Sequence, residues 1–226
     1  MLLPATIKKG GIQKIRESCT KKFIYYFPKG YLDTKYIAWE RQYKLDAHLE
    51  FQAQLNKKSY TKLLNESAFE KIAGLAARIE SKTNLLFSFE KMALRDALKS
   101  PEGAKAFAKG LFDYIYGNGN MQSRFEAFIK MIGTLPRKQT RVLTWPVVTV
   151  FGFIADPLEH IFLKPRVTQI AAAKYRFDLN YSAHPNWNAY ENIMDFQAVE
   201  LTQRAYHYNY QYLFHKNNKK SVEPVK

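Results

Sequence analysis

Apolar residues recur along most of this chain at steps of three and four, in runs that glycine and proline separate, which is the pattern of amphipathic helices. Ile12, Ile15, Cys19, Phe23 and Tyr26 share one face of a first helix, opened near Gly10-Gly11 and ended by Pro28-Lys29-Gly30. Asp33 or Thr34 caps a second, in which Tyr36, Trp39, Tyr43, Ala47 and Phe51 form a buried aromatic face. Arg41, Lys44, His48 and Gln52 lie on its opposite, polar face. A third stretch begins at Thr61 to Leu64 and continues through Phe69, Ile72, Ala76 and Ile79. Leu86, Phe89, Ala93 and Ala97 mark the inward face of a fourth. Ser100 as N-cap and Pro101 at the first helical position start a helix through Phe107, Leu111 and Ile115, which Gly117-Asn118-Gly119 stops. The next spans Met121 to Ile132, with Phe125 and Phe128 inward and Gly133 closing it.

After the basic connection Leu135-Pro136-Arg137-Lys138-Gln139-Thr140-Arg141 the punctuation changes. Prolines 146, 157, 165 and 185 each stand where a short helix can begin, which predicts helices over 146–155, 157–163, 165–177 and 187–213. The run Val147-Val148-Thr149-Val150-Phe151 is β-branched and suits a buried strand as well. Bracketing prolines and the lack of a partner strand favour helix. The predicted fold is all-α: a helical bundle over 1–133, a C-terminal subdomain of shorter helices over 134–215 packed on it, and a disordered basic tail over 216–226.

Charge adds a functional direction. The 226 residues carry 35 Lys and Arg against 20 Asp and Glu, a formal net charge of +15, which draws polyanions to the surface. Nucleic acid is the first such partner and an anionic membrane the second. Most of the 16 Phe and 15 Tyr belong to the core, because each ring buries a large apolar area. The one cysteine, Cys19, makes no internal disulfide and reads as a packed thiol in a reducing compartment. The N-terminus places its apolar residues before its lysines, the reverse of a secretory signal, and no apolar run reaches membrane-spanning length, so a cytoplasmic location is expected.

The sequence has no Gly-x-Gly-x-x-Gly after a strand, no phosphate loop, no Gly-x-Ser-x-Gly elbow and no zinc-ligand spacing, so no cofactor or metal is expected. Tyr116-Gly117-Asn118-Gly119-Asn120 resembles the hairpin of helix-hairpin-helix DNA-binding proteins, with Ser123 and Arg124 as loose stand-ins for its small residue and phosphate-binding lysine. A glycine C-cap followed by an asparagine N-cap explains the same residues and is preferred. The strongest local candidate is a set of cations, Arg137, Lys138 and Arg141 with Lys164 and Arg166. There the hydroxyls of Thr140 and Thr144 add phosphate contacts and Trp145 offers a stacking face. Asp156, Glu159 and His160 read as a helix cap, because adjacent helical residues diverge by about 100° and cannot converge on a metal. Asp46, His48 and Glu50 diverge for the same reason. The segment Tyr206-His207-Tyr208-Asn209-Tyr210-Gln211-Tyr212-Leu213-Phe214-His215 has an aromatic at every even position through Phe214 and suits either intramolecular packing or a partner interface.

Tyr36-Ile37-Ala38-Trp39-Glu40-Arg41, the run from Asn84 to Ala97, the stretches Thr144-Trp145-Pro146 and Phe162-Leu163-Lys164-Pro165, and Pro185-Asn186-Trp187 together resemble a family of uncharacterised bacterial proteins over nearly the whole chain. The resemblance implies no activity and no catalytic residue. It draws attention to Glu40, Arg41, Glu90, Lys91, Arg95 and Asp96, charged groups set in otherwise apolar helices. The leading expectation is nucleic-acid binding through phosphate contacts. The alternatives are an enzyme acting on nucleic-acid bases, with Glu40, Glu90, Arg95 and Asp96 converging in a helical cleft, and an interaction module using the Tyr-rich segment.

Overall fold

A computed structural model describes residues 9–136, 138 and 141–196 of the chain. Ten helices and no strand occur among the described residues. They are α1 (Lys9–Tyr26), α2 (Thr34–Tyr36, continued without a break by Ile37–Arg41 and Gln42–Leu55), α3 (Lys57–Asn65), α4 (Phe69–Ser81) and α5 (Ser88–Ala97). The remainder are α6 (Pro101–Tyr116), α7 (Met121–Thr134), α8 (Trp145–Ala155), α9 (Pro165–Tyr175) and α10 (Trp187–Phe196). Arg137, Thr140, the Tyr-rich segment and the 216–226 tail lie outside the described residues.

The β-branched run at 147–151 is helical, and α8 has no polar face to turn outward: all eleven of its residues are buried. A helix apolar on every side needs neighbours on every side. α2, α4, α5, α6 and α7 pack around it, and the Phe107 ring of α6 meets Phe151 of α8 edge-on at 5.2 Å. Buried residues before and after position 134 belong to one cluster, so the connection at 134–144 joins two parts of a single core. α10 closes the far side, with Tyr190 stacked on Phe125 of α7 at 4.2 Å.

Four expectations are corrected. The stretch from Thr61 to Ile79 is two helices, α3 and α4, broken at 66–68 where Ser67 takes φ 54°. No helix forms over 157–163; the Asp156 carboxylate accepts from the N–H groups of Leu158 and Glu159 and holds a turn, after which residues 160–164 are irregular. Cys19 is exposed rather than packed, because α1 lies at the edge and meets the body chiefly through α9. His48, expected on a solvated face, is buried.

That last correction follows from α8. A buried helix end leaves carbonyls that water cannot reach, and something must donate to them. His48 Nδ1 lies 2.8 Å from the Ile154 carbonyl and Gln52 Nε2 donates to Ala155 at 2.7 Å, so the polar face of α2 completes the C-terminus of α8. Because a carbonyl only accepts, Nδ1 carries the proton, and burial holds the His48 imidazole neutral by lowering its pKa. The same device recurs. Tyr116 donates its hydroxyl to the Leu55 carbonyl at the end of α2, and Arg124 Nη1 donates to the carbonyls of Tyr114 and Ile115 at the end of α6.

Candidate nucleic-acid interface

Two of the cations singled out in the sequence, Lys138 and Lys164, stand near the ends of α5. Its start is held by a stapled loop: the buried Glu80 carboxylate accepts from Thr83 Oγ1 and the Leu86 N–H, with Lys91 Nζ 3.7 Å away. Burial raises the pKa of Glu80, and the Lys91 ammonium opposes the shift. Lys91 also donates to the carbonyls of Ser81 and Thr83. Glu90 then closes the helix start by accepting from the Phe87 N–H at 3.0 Å. Loop 82–87 is thereby fixed, and it displays Phe87, 63% exposed, next to Phe89, 68% exposed.

Two segments run up to this loop. Thr144 Oγ1 donates to the other oxygen of Glu90 at 3.1 Å, which places the end of segment 138–144 at the start of α5. Lys138 lies toward the other end, where the Asp96 carboxyl is held below its usual range first by its hydrogen bond from Lys99 and further by the charges of Lys138 and Arg95. Lys138 and Thr144 therefore stand toward opposite ends of α5, a length of about 15 Å for ten residues. Arg141, between them in sequence, is exposed.

The second segment brings in Lys164. Leu163 donates its N–H to Thr149 Oγ1 inside α8 at 3.1 Å, and Lys164 Nζ reaches across to the Asn84 carbonyl at 3.3 Å. Its ammonium stands 5.4 Å from the centre of the Phe87 ring and 6.0 Å from Phe162. Arg166 is exposed in the first turn of α9, a helix whose N-terminus has no side-chain cap. Lys138 and Lys164 thus stand toward opposite ends of α5, and Arg141 and Arg166 are exposed a few residues from them in sequence. Arg137 is outside the described residues.

Trp145 does not belong to this surface. Its indole is 1% exposed and its Nε1–H donates to the Ser182 carbonyl at 2.7 Å, so it is a core residue that offers no face to a base. The exposed ring beside Lys164 is Phe87 instead, with Phe89 exposed two residues on. The step 89–93–97 predicts Phe89 inward, but each four-residue step drifts about 40° around a helix. The buried face runs through Ala93, Leu94 and Ala97 with Glu90 half-buried, and Phe89 falls outside it. The usable signal was Glu90 three residues after Phe87, which starts the helix at Ser88 and leaves both rings at its rim.

The other candidate sets do not converge. Glu40 pairs with Lys44 at 3.2 Å, Glu90 serves Phe87 and Thr144, and Asp96 pairs with Lys99 at 2.8 Å, so three of the four groups proposed to line a cleft are each engaged locally. Asp156 holds its turn, Glu159 is exposed, and His160 is buried against Tyr114. Among the described residues no group of His, Cys, Asp and Glu is placed to hold a metal, and no helix is long and apolar enough to cross a membrane.

The Gly117–Asn120 turn is a pair of helix ends. Gly117 has φ −65°, and a Cβ there would lie 2.3 Å from the Asp113 carbonyl oxygen, so the turn needs its missing side chain rather than a left-handed backbone. Asn120 Oδ1 accepts from the Ser123 N–H at 2.8 Å, while Arg124 points back to the end of α6. Asn120→Ala is expected to lower stability by about 1 kcal/mol in urea unfolding, Asn120→Gly by a few tenths, and neither to alter nucleic-acid affinity. No family model matches the chain, and no curated protein or solved structure gives a significant match to it.

Proposed function

We propose that the chain binds nucleic acid through phosphate contacts from Lys138, Arg141, Lys164 and Arg166, with Arg137 adjoining them in sequence. The observation that carries this reading is the placement of Lys164 beside the exposed Phe87 ring at the start of α5 and of Lys138 near Asp96 toward its end, with exposed Phe89 on the same helix. Cations hold a phosphate backbone without reading sequence, and rings beside them accept unpaired bases. The two carboxylates nearest the strip do not oppose it strongly. Glu90 is occupied by the Phe87 N–H and the Thr144 hydroxyl, and Asp96 by Lys99.

The test is a salt titration of binding to labelled single- and double-stranded oligonucleotides. Affinity is expected to fall on a log–log plot by roughly 0.9 per duplex phosphate neutralised and roughly 0.7 per single-strand phosphate. Lys138→Ala/Arg141→Ala/Arg166→Ala is expected to flatten the slope by about 2 to 3 and to weaken binding at least tenfold at low salt. Lys57→Ala/Lys58→Ala/Lys62→Ala, on or beside the exposed face of α3, serves as the control for total charge. Equal losses from the two triple variants would overturn the assignment to α5.

A further inference from the structure

The corner between α1 and α2 carries a second surface that the cation strip does not include. Residues 9–44 contain nine Lys and Arg against three Asp and Glu, a far larger share of the net charge than their share of the 226 residues. Two of the three acids are turned inward or paired, and the third, Glu17, is exposed on α1. Asp33 is buried and accepts from the Lys29 and Lys35 N–H groups at 3.2 and 2.9 Å, and these backbone bonds, that from Lys29 first, keep it ionised. Glu40 is paired with Lys44.

The corner is rigid for its size. Phe23, Phe27, Tyr31 and Tyr36 form a mutual ring cluster with centroids 4.8 to 5.5 Å apart. Gly30 turns the chain at φ +61°, a backbone that a side chain would strain. Outside this cluster three further rings face solvent: Tyr25 at 80%, Tyr26 at 51% and Trp39 at 59% exposure. Trp39 belongs to the buried aromatic face only if α2 is α-helical throughout. Ile37–Arg41 is a π turn, and its extra residue rotates the preceding positions by about 100°, carrying the indole outward. Lys35 Nζ sits 4.3 Å over that indole.

We infer that this corner is a single-strand nucleic-acid site in which an unpaired base stacks on Trp39 while Lys35, with Lys29 beside it in the turn, holds the adjoining phosphates. The inference shares with the proposal above the premise that the ligand is a nucleic acid, but it rests on different residues. Charge complementarity selects a polyanion, and an exposed indole under an ammonium selects one whose π faces are free. A duplex hides those faces in its own stack. Ile24 and Leu32 are also exposed at this corner, and the vesicle arm of the test below separates a lipid surface from an unpaired base.

Tryptophan fluorescence reads the site directly, since Trp145 is buried and Trp187 half-buried. In the full chain, acrylamide is expected to quench a component that Trp39→Phe removes. Titration with a twenty-residue oligothymidylate is expected to quench that same component, and a duplex of equal length to quench it much less. Trp39→Ala and Lys35→Ala are each expected to weaken oligothymidylate binding about tenfold, with circular dichroism unchanged. Binding that persists at full strength in Trp39→Ala, without quenching, would overturn this site and leave the α5 strip standing. Absence of any oligonucleotide binding at low salt would overturn both. An indole shielded from acrylamide, equal quenching by duplex, or quenching by phosphatidylglycerol vesicles in place of the oligonucleotide would overturn the single-strand assignment.

Discussion

Replacing Gly152 with alanine is expected to destabilise the fold by about 3 kcal/mol, although only one methyl group is added. Gly152 lies on α8 where three elements meet. A Cβ at that position would stand 2.6 Å from the Tyr114 hydroxyl and 2.9 and 3.0 Å from Cγ and Nδ1 of His160. Neither neighbour is the free end of a flexible chain. Tyr114 is fully buried and stacked on Phe128 at 4.5 Å, and the His160 ring lies edge-on to Tyr114 at 4.8 Å. Relief requires parting the Tyr114 hydroxyl from His160 Nδ1, which are 3.1 Å apart. Overpacking of this kind costs about 1 to 3 kcal/mol, and a buried hydrogen-bonding group left without its partner costs a similar amount. Urea unfolding checks the value. A loss below about 1 kcal/mol would mean that the Tyr114–His160 contact yields easily and does not restrain α8.

Acidification is expected to remove about 3 kcal/mol of stability through His160 alone. Burial lowers its pKa from 6.5 to about 4; the Asp156 charge opposes that shift and Arg124 adds to it. Above pH 6.5 the imidazole is neutral whether the chain is folded or unfolded, and its contribution is fully present. As pH falls through 6.5 the unfolded chain takes up the proton first, so stability declines until the folded state also binds it near pH 4. Each unit of separation corresponds to about 1.4 kcal/mol, and about 2 kcal/mol of the loss falls above pH 5. Thermal unfolding between pH 7 and 5 measures it. His160→Asn is expected to be less stable at pH 7 but flatter over that range, the remaining slope combining His48, whose pKa burial also lowers, with Glu80, whose pKa burial raises and which acts in the opposite sense. An unchanged slope in the variant would show that His160 is not the group responsible.

The surface predictions differ in kind, because α5 and the α1–α2 corner are exposed and their variants change charge and rings rather than core packing. Their effects are read in affinity and salt dependence, with stability as the control. The fold and the proposed interfaces therefore have separable tests.

The elements of the fold were largely legible from local rules. Ser100 and Asn120 accept from the N–H three residues on, Pro101 and Pro165 stand in first turns, and the helices they start follow the apolar period. Helical character at 147–151 followed from the bracketing prolines, despite β-branched residues. Composition and spacing point to Lys138, Arg141, Lys164 and Arg166, but no local rule contains the placement of Lys138 and Lys164 at opposite ends of α5.

What the sequence determined by itself is the all-α class, most helix boundaries and the excess of positive charge, since each depends on residues within a few positions or on a sum over the chain. Only the tertiary structure decided which rings and polar groups face inward. Trp145 is drawn into the core while Phe87, Phe89 and Trp39 are left outside. His48 is buried because a carbonyl of α8, 106 residues away in sequence, needs a donor. The period of a helix marks its apolar face only to within tens of degrees, and a single π turn moves that face by a full position. A buried carbonyl has no local signature, and its partner is set by whichever helix packs beside it.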